Sequence, residues 1–143
     1  MVADCSPIIF YDPIQEVIAV AHSGRAGTFA NITKKVIEKF KKLYGSNIED
    51  IVVKIGPAIG ECCYEVGFEI VKEAHNLGLD YAISQKEDNY YLSIPSILTH
   101  QLKELGLTDF QISHECTSCS TDQYYSYRAE GKTGRFCAIV ELR

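Results

Sequence analysis

The chain has 143 residues, of which 46% are hydrophobic and 23% charged, as in ordinary globular proteins. This length suits one domain with its own hydrophobic core. The formal net charge of -5 argues against non-specific nucleic-acid binding, which requires a basic surface. No apolar run reaches the roughly 18–20 residues of a membrane span, and the N-terminus lacks a signal-sequence pattern. We therefore expect a cytoplasmic protein without nucleic-acid or membrane partners.

The first two predicted strands form a hairpin. Residues 8–11 and 16–22 are rich in strand formers, and Asp12-Pro13 suits the start of a type I turn. Antiparallel pairing about this turn places Cys5 opposite His22, and directly opposed side chains have Cβ atoms about 4.5–5.5 Å apart. The thiol and the imidazole could then share one ion or one proton. The inference depends on the register, because a slip of one residue sends one side chain to the other face.

The remaining elements alternate less regularly. An apolar stripe predicts a helix from an Asn31 cap to a stop at Gly45. Two further helices are predicted, one after Gly67 and one from Ser93 or Pro95 to Gly106. Residues 78–89 read as irregular, and extended segments are predicted at 51–55, 90–92, 110–113 and 136–142. Because strands and helices mix without strict βαβ alternation, we predict an α+β fold with mixed β-sheets.

Cys5 and His22 are residue types that bind Zn²⁺, and Asp4 could orient one of them as a supporting carboxylate. Packing residues at strand ends are the simpler interpretation of the same pair. Without a metal, the pair could also serve as the thiolate nucleophile and imidazole base of a cysteine hydrolase.

Two segments could bind anions. The turn containing Gly24, Arg25 and Gly27 precedes a helix and could present N–H groups to a phosphate. It lacks P-loop spacing, and a plain turn is the simpler interpretation. Near the C-terminus, a basic loop could bind phosphate or a carboxylate through Arg128, Lys132 and Arg135. A solvated loop with salt bridges is the alternative there.

Six cysteines are many for this length, and we interpret them as mostly reduced thiols. Cys116 and Cys119 form a CxxC motif, which is typical of zinc or redox sites. A structural zinc needs a second pair, however, and Cys62 and Cys63 are adjacent rather than two residues apart. The motif by itself therefore does not predict a metal site.

Five ordered motifs together resemble the YfiH-like "laccase domain" family. They are ADCSPIIFYD, AVAHSGRAGT, KIGPAIGECCYEVG, CT and YYSYRAEGKTGR, and they run from Ala3 to the end of the chain. Members of this family have been called multicopper polyphenol oxidases and are now regarded as purine nucleoside phosphorylases. Four copper ions would need far more histidine than the four residues present here.

The resemblance implies a single αββα-layered domain over residues 1–143. It implies a zinc ion held by a histidine, by the cysteine of the ADC motif and by the histidine of the HAGWRG motif, the last two matching Cys5 and His22. The implied activities are phosphorolysis of adenosine, inosine, guanosine and methylthioadenosine, and deamination of adenosine. The implied partners are thus purine nucleosides and phosphate. Our own hypothesis is that arginines hold the phosphate, first Arg128 and second Arg25, and an oligomer is compatible with the sequence.

The chain departs from the family pattern in two places. The family's first zinc-ligand histidine lies in an upstream segment, and the histidines outside the motifs, His75, His100 and His114, do not match it. We therefore expect an N-terminally truncated domain whose third ligand comes from elsewhere, or a truncated, inactive binding module. The family's Trp-Arg in the glycine turn is Arg25-Ala26 here, which moves the guanidinium by one position.

Overall fold

A computed structural model describes residues 1–143 and shows a mixed α/β fold with two sheets and five helices. The strands are β1 Ser6–Asp12, β2 Val17–Ser23, β3 Val52–Ile55, β4 Glu65–Val66, β5 Ile83–Lys86, β6 Asn89–Leu92 and β7 Phe110–Ile112. The helices are α1 Arg25–Phe29, α2 Ile32–Tyr44, α3 Phe68–Asn76, α4 Ile94–Glu104 and α5 Tyr127–Glu130. The expected α+β class with mixed sheets is confirmed. No helix is both long and apolar enough to span a membrane.

The larger sheet has the strand order β2-β1-β3-β7. Strand β1 is antiparallel to both β2 and β3, whereas β3 and β7 are parallel. The start of β1 and the ends of β2, β3 and β7 therefore meet at one end of this sheet, which we call the site end. A smaller antiparallel sheet has the order β4-β6-β5.

One face of the larger sheet forms the core with α2 and α4. Alternate residues of β1 are buried on this face, including Ile8 and Phe10, as the period of two in a strand requires. Phe10 meets Phe40 of α2 edge to face, with ring centroids 6.3 Å apart. The caps of α2 are those predicted, since the Asn31 side chain accepts a hydrogen bond from the Lys34 N–H and Gly45 adopts a left-handed conformation.

The hairpin register differs from the predicted one by two residues. His22 lies opposite Pro7, and Ser6 lies opposite Ser23. The loop has four residues in both registers, but it spans positions 13–16 instead of 12–15. Asp12 pairs with Val17 as the last residue of β1, and its carboxylate accepts hydrogen bonds from the N–H groups at positions 14 and 15. A shift of two preserves the faces of both strands. Cys5 is therefore displaced from His22 along the hairpin rather than directly across from it.

Two further local predictions are wrong. Residues 83–86, expected to be irregular, form β5 against β6. Residues 136–142, expected to be a strand, make only one isolated bridge, in which Phe136 pairs with Val2. A strand needs a neighbouring ladder, and the rest of this segment has none; Ile139 is 82% exposed.

Asp12 is the residue on which we expect the hairpin turn to depend. It is inaccessible to solvent. Burial by itself would raise its pKa, but the adjacent Ser46 hydroxyl and the N–H groups of Gln15 and Ile14 outweigh that effect and hold the pKa below its ordinary value. Asp12→Ala should lower the free energy of unfolding by about 1–3 kcal/mol, measured by urea denaturation, because two N–H groups lose their acceptor.

Asp12→Asn is the matched control. It keeps an acceptor oxygen, so its free energy of unfolding should fall by less than that of Asp12→Ala. Because the folded pKa is lowered, the carboxylate stabilises the fold above the ordinary carboxyl pKa, and this contribution disappears as the pH falls through the lowered value. The free energy of unfolding of the Asn variant should therefore depend less on pH in the acid range than that of the unchanged protein. Equal losses in the Ala and Asn variants would contradict the assignment.

Candidate functional site

A cavity of about 440 Å³ lies at the site end of the larger sheet. The segment before β1, the end of β2 and the C-terminal loop all contribute to its wall. It brings together most of the predicted site residues, namely Asp4, Cys5, His22, Gly24, Arg25, Arg128 and Arg135. Gly27 and Lys132 do not line it. The roles of these residues remain predictions, but their convergence in one cavity is observed.

Cys5 and His22 approach each other across Gly24. A Cβ atom at position 24 would lie 2.9 Å from Cys5 Sγ and 3.8 Å from His22 Nε2. Any side chain larger than hydrogen would therefore displace the thiol. A thiolate and an imidazole converging on one glycine are a donor set that fits Zn²⁺.

The ionisation of Cys5 argues against the metal-free cysteine hydrolase. Burial raises the pKa of the Cys5 thiol, Asp4 raises it further, and Arg135 lowers it in part. A reactive cysteine needs the opposite environment, because the thiolate is the nucleophile. Without a bound cation, Cys5 is therefore a protonated thiol at neutral pH.

Asp4 connects three parts of the site. Its carboxylate accepts hydrogen bonds from Thr117 Oγ1 and from the Arg128 backbone N–H, both at 2.7 Å. Its own carbonyl accepts from the Ile59 N–H at 2.8 Å. The backbone of Asp4 has φ +80°, a conformation that is unusual for a non-glycine residue. These contacts show that Asp4 joins three loops of the site, and its role in supporting a zinc ligand stays a prediction.

The three arginines of the cavity differ in how their charge is balanced. Arg25 forms a salt bridge with Glu73 of α3, so its charge is compensated within the protein. Arg128 donates to the Glu65 carbonyl at 2.8 Å, and Arg135 donates to two neighbouring carbonyls. Neither Arg128 nor Arg135 forms a salt bridge. These two guanidinium groups therefore supply the positive charge available to an anion.

The glycine turn is a short helix and not the start of a long one. Gly24 caps the five-residue α1, and its carbonyl accepts from both the N–H and the hydroxyl of Thr28. A Cβ at Gly27 would lie 3.3 Å from the carbonyl oxygen of His22. Gly27 therefore permits α1 to pack on the end of β2, and its placement does not support the predicted phosphate-binding role.

Several residues that line the cavity were not predicted, and Tyr64 is the most informative of them. The guanidinium of Arg128 lies 5.2 Å from the centroid of its ring. Burial raises the pKa of the Tyr64 phenol, although Arg25 and Arg128 oppose this, so the hydroxyl is protonated at neutral pH. The apolar part of the lining includes Val2, Ile59 and Ile94. Sequence reasoning missed these residues because loops distant in the chain bring them together.

A second group of side chains lies in the loops that follow β3 and β7. The Sγ atoms of Cys62, Cys63, Cys116 and Cys119 all lie within 4.8 Å of one another, close enough to hold a metal ion. The expectation that Cys116-x-x-Cys119 lacks a second pair is therefore wrong. The detectable signal was positional, since both pairs follow neighbouring parallel strands and such strands end at the same edge of a sheet.

The family of the chain is clear from comparison with known proteins. A family model described as multi-copper polyphenol oxidoreductase laccase matches residues 1–143. The purine nucleoside phosphorylase of Clostridium acetobutylicum is 36% identical over 140 residues, covering 96% of this chain and 59% of that protein. Purine nucleoside phosphorylase YlmD of Bacillus subtilis is 33% identical over 147 residues, covering 99% and 53%.

Solved structures agree with this match. The crystal structure of YfiH from Bacillus licheniformis superposes with a TM-score of 0.83 at 34% identity, covering 90% of this chain and 50% of that one. YlmD from Geobacillus stearothermophilus gives a TM-score of 0.80 at 28% identity. The chain thus spans about half the length of the relatives it matches. These matches confirm the resemblance seen in the motifs, and the chain belongs to the multi-copper polyphenol oxidoreductase laccase family, whose members include the YfiH and YlmD proteins.

Proposed function

We propose that this chain carries the catalytic cavity of a purine nucleoside phosphorylase. The observation that carries the proposal is the placement of Arg128 and Arg135, two guanidinium groups without an acidic partner, in the same cavity as Cys5 and His22. Relatives that are 36% and 33% identical to this chain are named purine nucleoside phosphorylases. The cavity volume of about 440 Å³ is within the range of small-molecule sites.

In phosphorolysis, a phosphate oxygen forms a bond to the ribose anomeric carbon. The bond from that carbon to the purine nitrogen breaks, and its electron pair leaves with the base, which takes up a proton. Arg128 and Arg135 would hold the phosphate dianion, since guanidinium groups bind phosphate oxygens in a bidentate manner. The apolar side chains of Ile59 and Ile94 would bury the base against water.

Cys5 and His22 would hold the zinc ion that the family resemblance implies. When bound, such an ion supplies a water molecule of lowered pKa, which is the chemistry that adenosine deamination requires. The remaining histidines lie outside the cavity. We therefore propose that the third zinc ligand belongs to a segment that the longer relatives contain and that residues 1–143 do not include. Methylthioadenosine phosphorolysis would use the same phosphate ligands.

Arginine replacement tests the phosphate site. With zinc, inosine and phosphate supplied, the protein should release hypoxanthine, and the release should require phosphate. A coupled assay measures the hypoxanthine by absorbance. Arg128→Ala and Arg135→Ala should each lower kcat/KM by about 10–100-fold, because each removes one charge-assisted contact worth about 1.5–3 kcal/mol. Lys132→Ala is the matched control, since Lys132 lies in the same loop but does not line the cavity.

Three outcomes would contradict the proposal. They are the absence of hypoxanthine, its release without phosphate, and an equal loss of activity in the Lys132 variant.

Asp4 should act through the residues that it positions. Thr117→Val removes the hydroxyl bonded to Asp4 Oδ1 while keeping the shape of the side chain. We expect it to raise the KM for phosphate by several-fold with a smaller change in kcat, because Asp4 also holds the backbone of Arg128. Thr133→Val, which alters a hydroxyl bonded to Glu130 instead, is the control. An unchanged KM for phosphate in Thr117→Val would refute this positioning role.

A further inference from the structure

We propose that Cys62, Cys63, Cys116 and Cys119 form a structural zinc site that is separate from the cavity. The inference concerns a different set of residues from Cys5 and His22, and it does not depend on the proposed function. The four residues come from two turns that are more than fifty positions apart in the sequence.

The distances between the sulfur atoms suit tetrahedral coordination. Cys119 Sγ lies 3.3 Å from Cys63 Sγ and 3.6 Å from Cys62 Sγ, and no two of the four ligand atoms are more than 4.8 Å apart. With zinc–sulfur bonds of about 2.3 Å, the sulfurs of a tetrahedral site are about 3.8 Å apart. Four thiolates without an open position are the ligand set of a structural site.

The backbone holds the two turns together without help from the sulfur atoms. Ala58 and Cys116 form a parallel bridge, and the Thr117 N–H donates to the Ala58 carbonyl at 3.1 Å. Each turn is closed by its own hydrogen bond, from Cys63 N–H to Gly60 and from Cys119 N–H to Cys116. The four thiols are therefore brought together by the fold and do not depend on an ion for their proximity.

Gly60 supports the cluster directly. Its N–H donates to Cys116 Sγ at 3.2 Å, which is the kind of outer contact that orients a metal-bound thiolate. A Cβ atom at this position would lie 3.2 Å from Cys62 Sγ and 3.4 Å from Cys116 Sγ. The absence of a side chain at Gly60 thus leaves room for both sulfurs.

A zinc ion here would fix one wall of the cavity. Cys63 is followed by Tyr64, which lines the cavity, and Cys116 is followed by Thr117, which bonds to Asp4. On binding, the thiols release their protons to solvent and no oxidant is required. The competing chemistry is oxidation to a disulfide, for which Cys63 and Cys119 are placed with their Sγ atoms 3.3 Å apart.

Metal analysis separates this site from the cavity. The Cys5→Ser/His22→Ala double variant, purified under reducing conditions and supplied with zinc, should retain one zinc ion per chain. Adding Cys62→Ser or Cys119→Ser should remove it, whereas Cys137→Ser should not. All three of these cysteines are exposed, so the replacements disturb no core packing and Cys137 is a matched control.

Cobalt substitution provides a second measurement. Co²⁺ bound to the double variant should give the strong thiolate charge-transfer bands and the visible bands of a tetrahedral site. Removing the metal with a chelator should lower the thermal unfolding midpoint of the double variant, but not that of the same variant carrying Cys119→Ser. Zinc retained after loss of Cys62 or Cys119, or no zinc in the double variant, would overturn the proposal. A disulfide in the purified protein would also overturn it. Such a bond would appear as a mass lower by two hydrogens together with two fewer free thiols.

Discussion

The site depends on the hydrogen bonds of one residue, Asp4. Its carboxylate binds the Thr117 hydroxyl and the Arg128 N–H, and its carbonyl binds the Ile59 N–H. Three loops that are remote in the sequence thus meet at a residue adjacent to Cys5. The left-handed conformation of Asp4 costs free energy, and these contacts offset that cost. Together with the contacts of the Arg128 side chain to the Glu65 carbonyl and the Tyr64 ring, they keep Arg128 in the wall of the cavity that Cys5 also lines.

The topology of the larger sheet explains why these loops can meet. Since β1 is antiparallel to β2 and β3, and β3 is parallel to β7, one end of the sheet collects the start of one strand and the ends of three others. The hydrophobic face of the sheet packs on α2 and α4 and fixes the strands. Two groups of side chains of metal-binding type lie at this end, one around Cys5 and His22 and one made of four cysteines.

Local features were predictable from the sequence. Helix α2 begins at the Asn31 cap and ends at Gly45 as predicted, because capping and the left-handed conformation depend only on residues close in the sequence. The meeting of Cys5 and His22 was predictable in outcome but not in register, because Asp12 is the last residue of β1 and the loop begins one position later than the residue types at positions 12 and 13 indicate. An even shift preserved the strand faces, so the pair still converges.

Features that depend on distant contacts were not predictable. The strand pattern of residues 136–142 finds only one bridging partner, and the four-cysteine cluster depends on which strands are neighbours. The motif resemblance identified the family, but it did not show that Asp4 binds Thr117 or that Glu73 compensates Arg25. Such pairings follow from tertiary structure, since neither spacing nor composition encodes them locally.

The central claim is that Arg128 and Arg135 bind the phosphate of a purine nucleoside phosphorolysis reaction. The most direct measurement is a crystal structure of the zinc-supplemented protein with ribose 1-phosphate. The account predicts that the phosphate contacts both guanidinium groups and that the ribose lies beside Cys5 and His22. Phosphate bound away from Arg128 and Arg135, with the cavity between them free of the sugar, would contradict it.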